Sequence, residues 1–224
     1  MSAPIIAAQW AALADRHDAG AFEALQRGYG DPARGYHDWS HIADLLTKLD
    51  DMSHLATRPD LIAAAIFWHD SVFVTRTPDG VDRPDAVNVQ DSAELFERHA
   101  CFPASETAAI REMILATAHH LTATAEKSYY PGFEQDMDLF LDLDLSSLGA
   151  SWPVFQRNYE RIRLEYPWIE PKEFDQQRLV MLEKFAASSD RVYRLDASRA
   201  LWAAQAQKNC LQIHNEILRR LHKS

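Results

Sequence analysis

Apolar residues recur along this chain three and four positions apart, the spacing of one helix face, and no segment alternates over the length of a strand. Ile5, Ile6, Trp10 and Leu13 follow Pro4 in this way, and a shorter helix about Ala19–Gln26 presents Phe22 and Leu25. The two glycines and the proline of Tyr29–Gly35 mark a loop. Asp38 or Trp39 then opens a helix carrying His41, Ile42, Leu45, Leu46 and Leu49. Pro59 begins the next, which runs through Leu61, Ile62, Ala65 and Ile66 to His69-Asp70. Residues 74–87 hold two prolines and a glycine and little apolar content, which predicts an irregular loop: a lid, a substrate contact or a plain surface excursion. Asn88 suits the N-cap of a helix through Ala93, Leu95 and Phe96. Pro103 starts another that ends at His119-His120. A stripe of Met137, Phe140, Leu141 and Leu145 predicts a helix around Glu134–Leu148, broken by Gly149 and Pro153. Further helices are expected over Trp152–Tyr166, from about Lys172 to Ser188, and over roughly Ala197–His222. The pattern therefore predicts a single all-α domain built as a helical bundle.

Composition narrows the function classes. A chain of 224 residues with 47% hydrophobic and 25% charged residues can bury a substantial core, and only seven glycines favour helix. A net charge of -10 argues against a nucleic-acid scaffold, although a local arginine cluster can still bind a small phosphorylated molecule. Cys101 and Cys210 form neither a disulfide framework nor a thiolate metal knot. The first residues lack the basic segment of a signal peptide, and no apolar run reaches the roughly 18 residues of a membrane span. These features predict a protein with no membrane partner and a cytoplasmic location. Trp202 on the Ala-rich last helix leaves both internal packing and a homo-oligomer face open.

The candidate chemistry begins at Ala63–Phe73, where an apolar helix ends in His69-Asp70. Two adjacent ionisable side chains at the buried end of such a helix are costly unless compensated, and imidazole plus carboxylate is a ligand set for a divalent cation. A solvated helix terminus is the plainer alternative. His41 lies one helix upstream, with His37 four residues before it on the same helix face. Asp142 and Asp144 sit two residues apart on an apolar helix, about 200° around its axis, so only one can face a given site.

The order His41, His69-Asp70, Asp144 (or Asp142), each on a separate helix, resembles the HD superfamily of metal-dependent phosphohydrolases. The likeness extends to R-x-Y-H-x-x-x-H-I (Arg34 to Ile42), F-W-H-D-S-V-F, N-x-x-x-S-A (Asn88 to Ala93) and T-x-H-H (Thr117 to His120). It continues through D-L-D-L-S-S-L-G, Y-x-x-I-R-x-E-Y (Tyr159 to Tyr166) and a late K-N (Lys208, Asn209). Together these are similar to a bacterial family catalogued as predicted metal-dependent HD phosphohydrolases, from about residue 5 onward. The resemblance implies an HD-type domain over residues 1–224, with a metal-site core at about 34–150 and C-terminal helices at about 151–222 packing on it. It implies that His41, His69, Asp70 and Asp144, with Asp142 as the alternative, hold a divalent ion: Mn, Fe, Co, Ni or Mg. His69 and Asp70 would serve catalysis, Asp70 by orienting or deprotonating a water. His37, His119 and His120 are candidates for a second metal or a phosphate contact, and Arg34, Arg163 and Lys208 for substrate binding. Tyr36 and Trp39 suit packing. One segment departs from the family: after Asn88 it carries acids, and this chain has Val89 and Gln90, with Asp91 on a different helix face. The implied function is hydrolysis of a small phosphate ester. A non-catalytic metal- or nucleotide-binding module and a di-iron oxygenase are the competing classes.

Overall fold

The computed structural model describes residues 2–187 and 192–222, and over these the chain is helical with no strand. The helices are α1 (Ser2–Ala11), α2 (Ala21–Tyr29), α3 (Trp39–Met52), α4 (Pro59–Trp68), α5 (Asp85–His99), α6 (Ala104–Ala116) and α7 (Phe133–Asp144). They are followed by α8 (Trp152–Leu164), α9 (Pro171–Ala187) and α10. The last begins as Asp196–Ser198, passes through a π-helical turn at Arg199–Ala203 and continues as Ala204–Leu221. The all-α bundle expected from the periodicity is what forms. Ser188, the expected end of α9, lies outside the described residues.

α4 is the axis of the bundle. Every side chain from Leu61 to Trp68 is buried, so this helix is apolar all round, and it packs against α3, α5, α6 and α7. Pro59 supplies its first turn, where a missing N–H costs nothing. Its start is tied to α7 by the buried Asp136, which accepts the backbone N–H groups of Thr57 and Arg58 and the Tyr130 hydroxyl. Gly132 precedes α7 in the left-handed region at φ +90°, and a Cβ there would lie 2.3 Å from Thr57 Oγ1, so only glycine fits. A second apolar cluster, including Phe155, Tyr159, Phe174, Ile213 and Ile217, joins α8, α9 and α10.

Three boundaries differ from the periodic reading. α5 starts at Asp85 rather than after Asn88, because Pro84 ends the loop in an extended conformation and the turn Asp85-Ala86-Val87 is already helical. Asn88 is therefore inside the helix, where its amide accepts Val74 N and donates to Val74 O. Ser92, one turn on, accepts Val72 N in the same way. These two clamps fix the base of the 74–87 segment, and only its tip, with a bridge between Arg76 and Asp82, is an open excursion. α6 ends at Ala116 and tightens into a 3-10 turn, Thr117–His119, and α7 likewise gives way to a 3-10 turn at Leu145–Gly149. None of the described helices is long and apolar enough to cross a membrane.

The C-terminal end of α4 is fixed by an aromatic relay. Buried His17 accepts the Trp68 indole N–H on Nε2 at 3.0 Å, with Nδ1 against Leu13 O at 2.9 Å. Both contacts need the neutral ring with its proton on Nδ1, and burial lowers the His17 pKa below its ordinary value. The unfolded chain then takes up a proton below about pH 6.5 while the folded chain does not, so this contribution is full above that pH and declines as pH falls. Urea unfolding of the wild type and His17→Gln should show a stability difference that shrinks by up to about 1.4 kcal/mol between pH 7.5 and 5.5. A difference independent of pH would contradict the assignment.

Candidate metal centre

The centre forms where α3, α4 and α7 meet. Asp38 caps α3 by accepting Ser40 N, which sets His41 at the first turn, pointing inward at 5% exposure. α4 delivers His69 and Asp70 at its end, and Asp144 is the last residue of α7. His69 Nε2 lies 3.1 Å from Asp70 Oδ2 and 3.4 Å from Asp144 Oδ1, and His41 Nε2 lies 3.2 Å from Asp144 Oδ1 and 3.7 Å from Asp70 Oδ2. One ligand atom each from His41, His69 and Asp70 can be enclosed within 4.8 Å. This group can hold a metal ion.

The backbone accounting at the end of α4 determines how His69 is presented. Four orphan carbonyls of a helix C-terminus need donors. Ala65 O takes the His69 N–H, Ile66 O lies 2.9 Å from His69 Nδ1, Phe67 O takes the Tyr29 hydroxyl and Trp68 O takes the Ser71 N–H. The Ile66 contact makes Nδ1 the protonated nitrogen of the neutral ring, leaving a lone pair on Nε2. That Nε2 is buried, has no hydrogen-bond partner and faces two carboxylates. Such a set is stable with a cation or a proton at Nε2, and unstable with neither. Two imidazoles and two carboxylates suit a five- or six-coordinate divalent ion with open positions.

Electrostatics follow from that geometry. Burial opposes charge on His69, but Asp70 and Asp144 outweigh it and raise its pKa well above the ordinary value. Burial also opposes ionisation of Asp144, yet His69 and the hydrogen bonds from His120 and His41 hold its pKa well below the carboxylate range. Asp70 is lowered in the same way, chiefly by His69 and His37 against burial. His37 stacks on Phe73 with ring centroids 4.0 Å apart and places Nδ1 2.8 Å from Glu165 Oε2. Burial would lower its pKa; Asp70 and Glu165 raise it instead. Glu165 Oε1 also accepts the backbone N–H groups of Tyr36 and His37, so one buried carboxylate from the end of α8 anchors the segment leading into α3.

The other expected residues sort by what they touch. His120 Nε2 is 2.7 Å from Asp144 Oδ2, so it reaches the centre behind Asp144, whereas His119 is exposed and lines a cleft of about 800 Å³ with Val89 and Gln90. Asp142 faces away: its two oxygens accept Arg194 N at 2.7 Å and Leu195 N at 2.9 Å, and burial pushes its pKa up to about 6. That removes it as the alternative ligand. Arg34 is at the site but is not a free phosphate clamp. Its Nη1 donates to Asp70 O at 2.7 Å and to His37 O, and its Nη2 donates to Ser71 O, so it holds the turn after the ligands. The chain at Ser71 can approach because α2 has Gly28, where a Cβ would sit 2.4 Å from Ser71 O. Arg163 is not brought to the centre; it donates to Tyr166 O and Ile169 O and so caps the end of α8. Lys208 is exposed on α10, while neighbouring Asn209 is buried and donates to Leu148 O and Ala150 O. Tyr36 packs its ring on His41 at 5.0 Å, and Trp39 packs on Tyr29, as expected for packing residues.

The departure after Asn88 also has a structural form. Val89 is buried, Gln90 pairs with Glu94 and Asp91 with Arg83, so none of the three brings a carboxylate to the ligands. The acid that α5 does present is Asp85, one turn earlier on the face of Asn88 and Val89. Its carboxyl pKa is raised by desolvation and then by the charge of Asp70, although the residue as a whole is exposed. Sequence reading missed Asp85 by placing it in the loop, and missed Glu165 as an anchor although the E-Y pair lay within a recognised motif. No protein-family model and no curated protein matches this chain.

Removing a ligand should separate the two aspartates. Asp144→Asn should weaken Mn²⁺ binding to chelator-stripped protein on the order of 100-fold by calorimetry, while Asp142→Asn leaves affinity within about twofold. Equal effects would refute the ligand assignment. Because a proton on His69 Nε2 competes with the ion, wild-type affinity should rise with pH above 6.5 until the raised folded-state pKa is passed.

Proposed function

We propose that the protein is a metal-dependent phosphohydrolase of the HD type acting on a small phosphate ester. One observation carries the reading: His69 Nε2, with no partner, faces Asp70 and Asp144 beside His41 at the end of a helix buried and apolar from Leu61 to Trp68. The four residues are those that the sequence resemblance assigns as ligands, in the same order. A divalent ion held there would lower the pKa of a bound water and offset charge developing on a phosphoryl group. Asp70, at 16% side-chain exposure, has access to solvent on the open side and is suited to orient or deprotonate a water. His37, whose pKa Asp70 and Glu165 raise against burial, would favour an anionic group beside the centre when it carries its proton.

The non-catalytic reading draws on Val89, whose apolar side chain occupies a position where the resembled family carries an acid. Asp85 on the same face of α5 supplies a carboxylate and weakens that argument. For a di-iron centre, His119 is exposed and His37 is taken by Glu165, so this arrangement offers fewer donors for a second ion.

A screen of nucleotides and sugar phosphates with Mn²⁺, Co²⁺, Ni²⁺ and Mg²⁺ tests the proposal. At least one ester should be hydrolysed, and Asp70→Ala should lower kcat/KM on the order of 1000-fold. Activity that survives the substitution, or metal-loaded protein inert across the screen, sinks the phosphohydrolase reading.

A further inference from the structure

Glu165, at the end of α8, and His37, just before α3, form a carboxylate–imidazole pair at the edge of the metal centre. Glu165 Oε2 lies 2.8 Å from His37 Nδ1, and the carboxylate side chain is only 1% exposed. Its other oxygen accepts the backbone N–H groups of Tyr36 and His37 at 2.7 and 2.8 Å. A carboxylate offers only acceptors, so the ring proton facing it sits on Nδ1, and Nε2 is the nitrogen left for other chemistry. The ring is held in place. It stacks on Phe73 with centroids 4.0 Å apart and meets Tyr36 edge-on at 5.0 Å.

His37 Nε2 differs from the other imidazole nitrogens at the centre. His41 and His69 turn Nε2 towards Asp70 and Asp144, and His120 turns its Nε2 to Asp144 Oδ2. No described residue bonds His37 Nε2, and unlike His69 Nε2 it is not sealed from solvent. The ring nevertheless stands beside the ligands, its centroid 6.1 Å from that of His41. Hydrolysis of a phosphate ester uses two proton positions, one that takes a proton from the attacking water and one that supplies the leaving oxygen. Asp70 fills the first in the reading above. Arg34 cannot fill the second, because a guanidinium does not give up its proton and its Nη groups hold backbone carbonyls.

We propose that the Glu165–His37 pair donates the proton to the leaving group, with His37 Nε2–H as the catalytic acid and Glu165 as the residue that positions it. The P–O bond to the alcohol breaks as water attacks phosphorus. The bond pair stays on the alcohol oxygen, which takes the His37 proton, while a proton of the water passes to Asp70. The alcohol and the phosphate are released, and exchange with solvent returns His37 and Asp70 to their starting states. Such an acid matters most where the leaving alkoxide is strongly basic, so the substrate class is a phosphate ester of an aliphatic alcohol. The proton-transfer step rests on the phosphohydrolase reading; the geometry of the pair does not.

The test joins ring-nitrogen NMR on chelator-stripped full-length protein to calorimetry and turnover. Wild type should show His37 Nδ1 protonated, with its proton shifted downfield and slow to exchange, and Glu165→Gln should lose that signal. His37→Gln should bind Mn²⁺ with wild-type stoichiometry and within about twofold in affinity, since His37 is not a ligand. On metal-loaded protein, the loss of kcat in His37→Gln should grow with the basicity of the leaving alcohol. It should be on the order of 100-fold for an alkyl phosphate and only severalfold for p-nitrophenyl phosphate, and Glu165→Gln should follow the same trend. An unprotonated Nδ1 in wild type overturns the pair whatever the activity, and that measurement needs no variant to fold. A lost equivalent of Mn²⁺ in His37→Gln makes the residue a ligand and overturns its role as the acid. An equal loss on both esters overturns donation to the leaving group and leaves the phosphohydrolase reading in place. Wild type inert on every ester overturns both.

Discussion

His69 Nε2 and the carboxylates of Asp70 and Asp144 meet within 3.4 Å at the closed end of an apolar helix. In water such groups would turn apart, but here the ring is locked by its Nδ1 contact to Ile66 O and the helix that carries it is buried on every side. Desolvation makes this juxtaposition costly, and a cation or a proton between the groups would relieve it. Most of the polar architecture around α4 serves to keep these groups from relaxing.

That architecture is a set of side chains spent on backbone. Arg34 holds the carbonyls of Asp70 and Ser71, Tyr29 holds Phe67 O, Asn88 and Ser92 hold the strand-like start of the following loop, and Glu165 holds the entry to α3. Each satisfies a group that would otherwise be buried without a partner. Two of these, Arg34 and Asn88, lie in motifs whose residue types suggest ligand chemistry or capping. Their actual contacts show that a motif residue can sit beside a site and act on the chain that carries the ligands.

The charge distribution divides the neighbourhood of the site. Asp70 and Asp144 make the centre acidic, and His37 at its edge has its pKa raised, against burial, by Asp70 and Glu165. α8 contributes here through Glu165 at its end, so it does more than buttress the bundle.

Much of this was legible in the residues themselves. Apolar spacing at three and four residues settled the helices, because burial of one face dictates that period in any packed bundle. The position of His69-Asp70 after an unbroken apolar run marked a costly pair, and the His41 and Asp144 pattern around it, rather than the run alone, set it apart from a solvated helix end. What the spacing could not decide was direction. Asp142 and Asp144 share one helix, and only the packing of the 194–195 backbone against Asp142 shows which of them faces the histidines. Asp85 shares the face of Asn88 and Val89 only because α5 starts directly after Pro84. Local sequence determines period and chemistry; which side chain meets which is a long-range outcome of packing, and it was reached only in the tertiary structure.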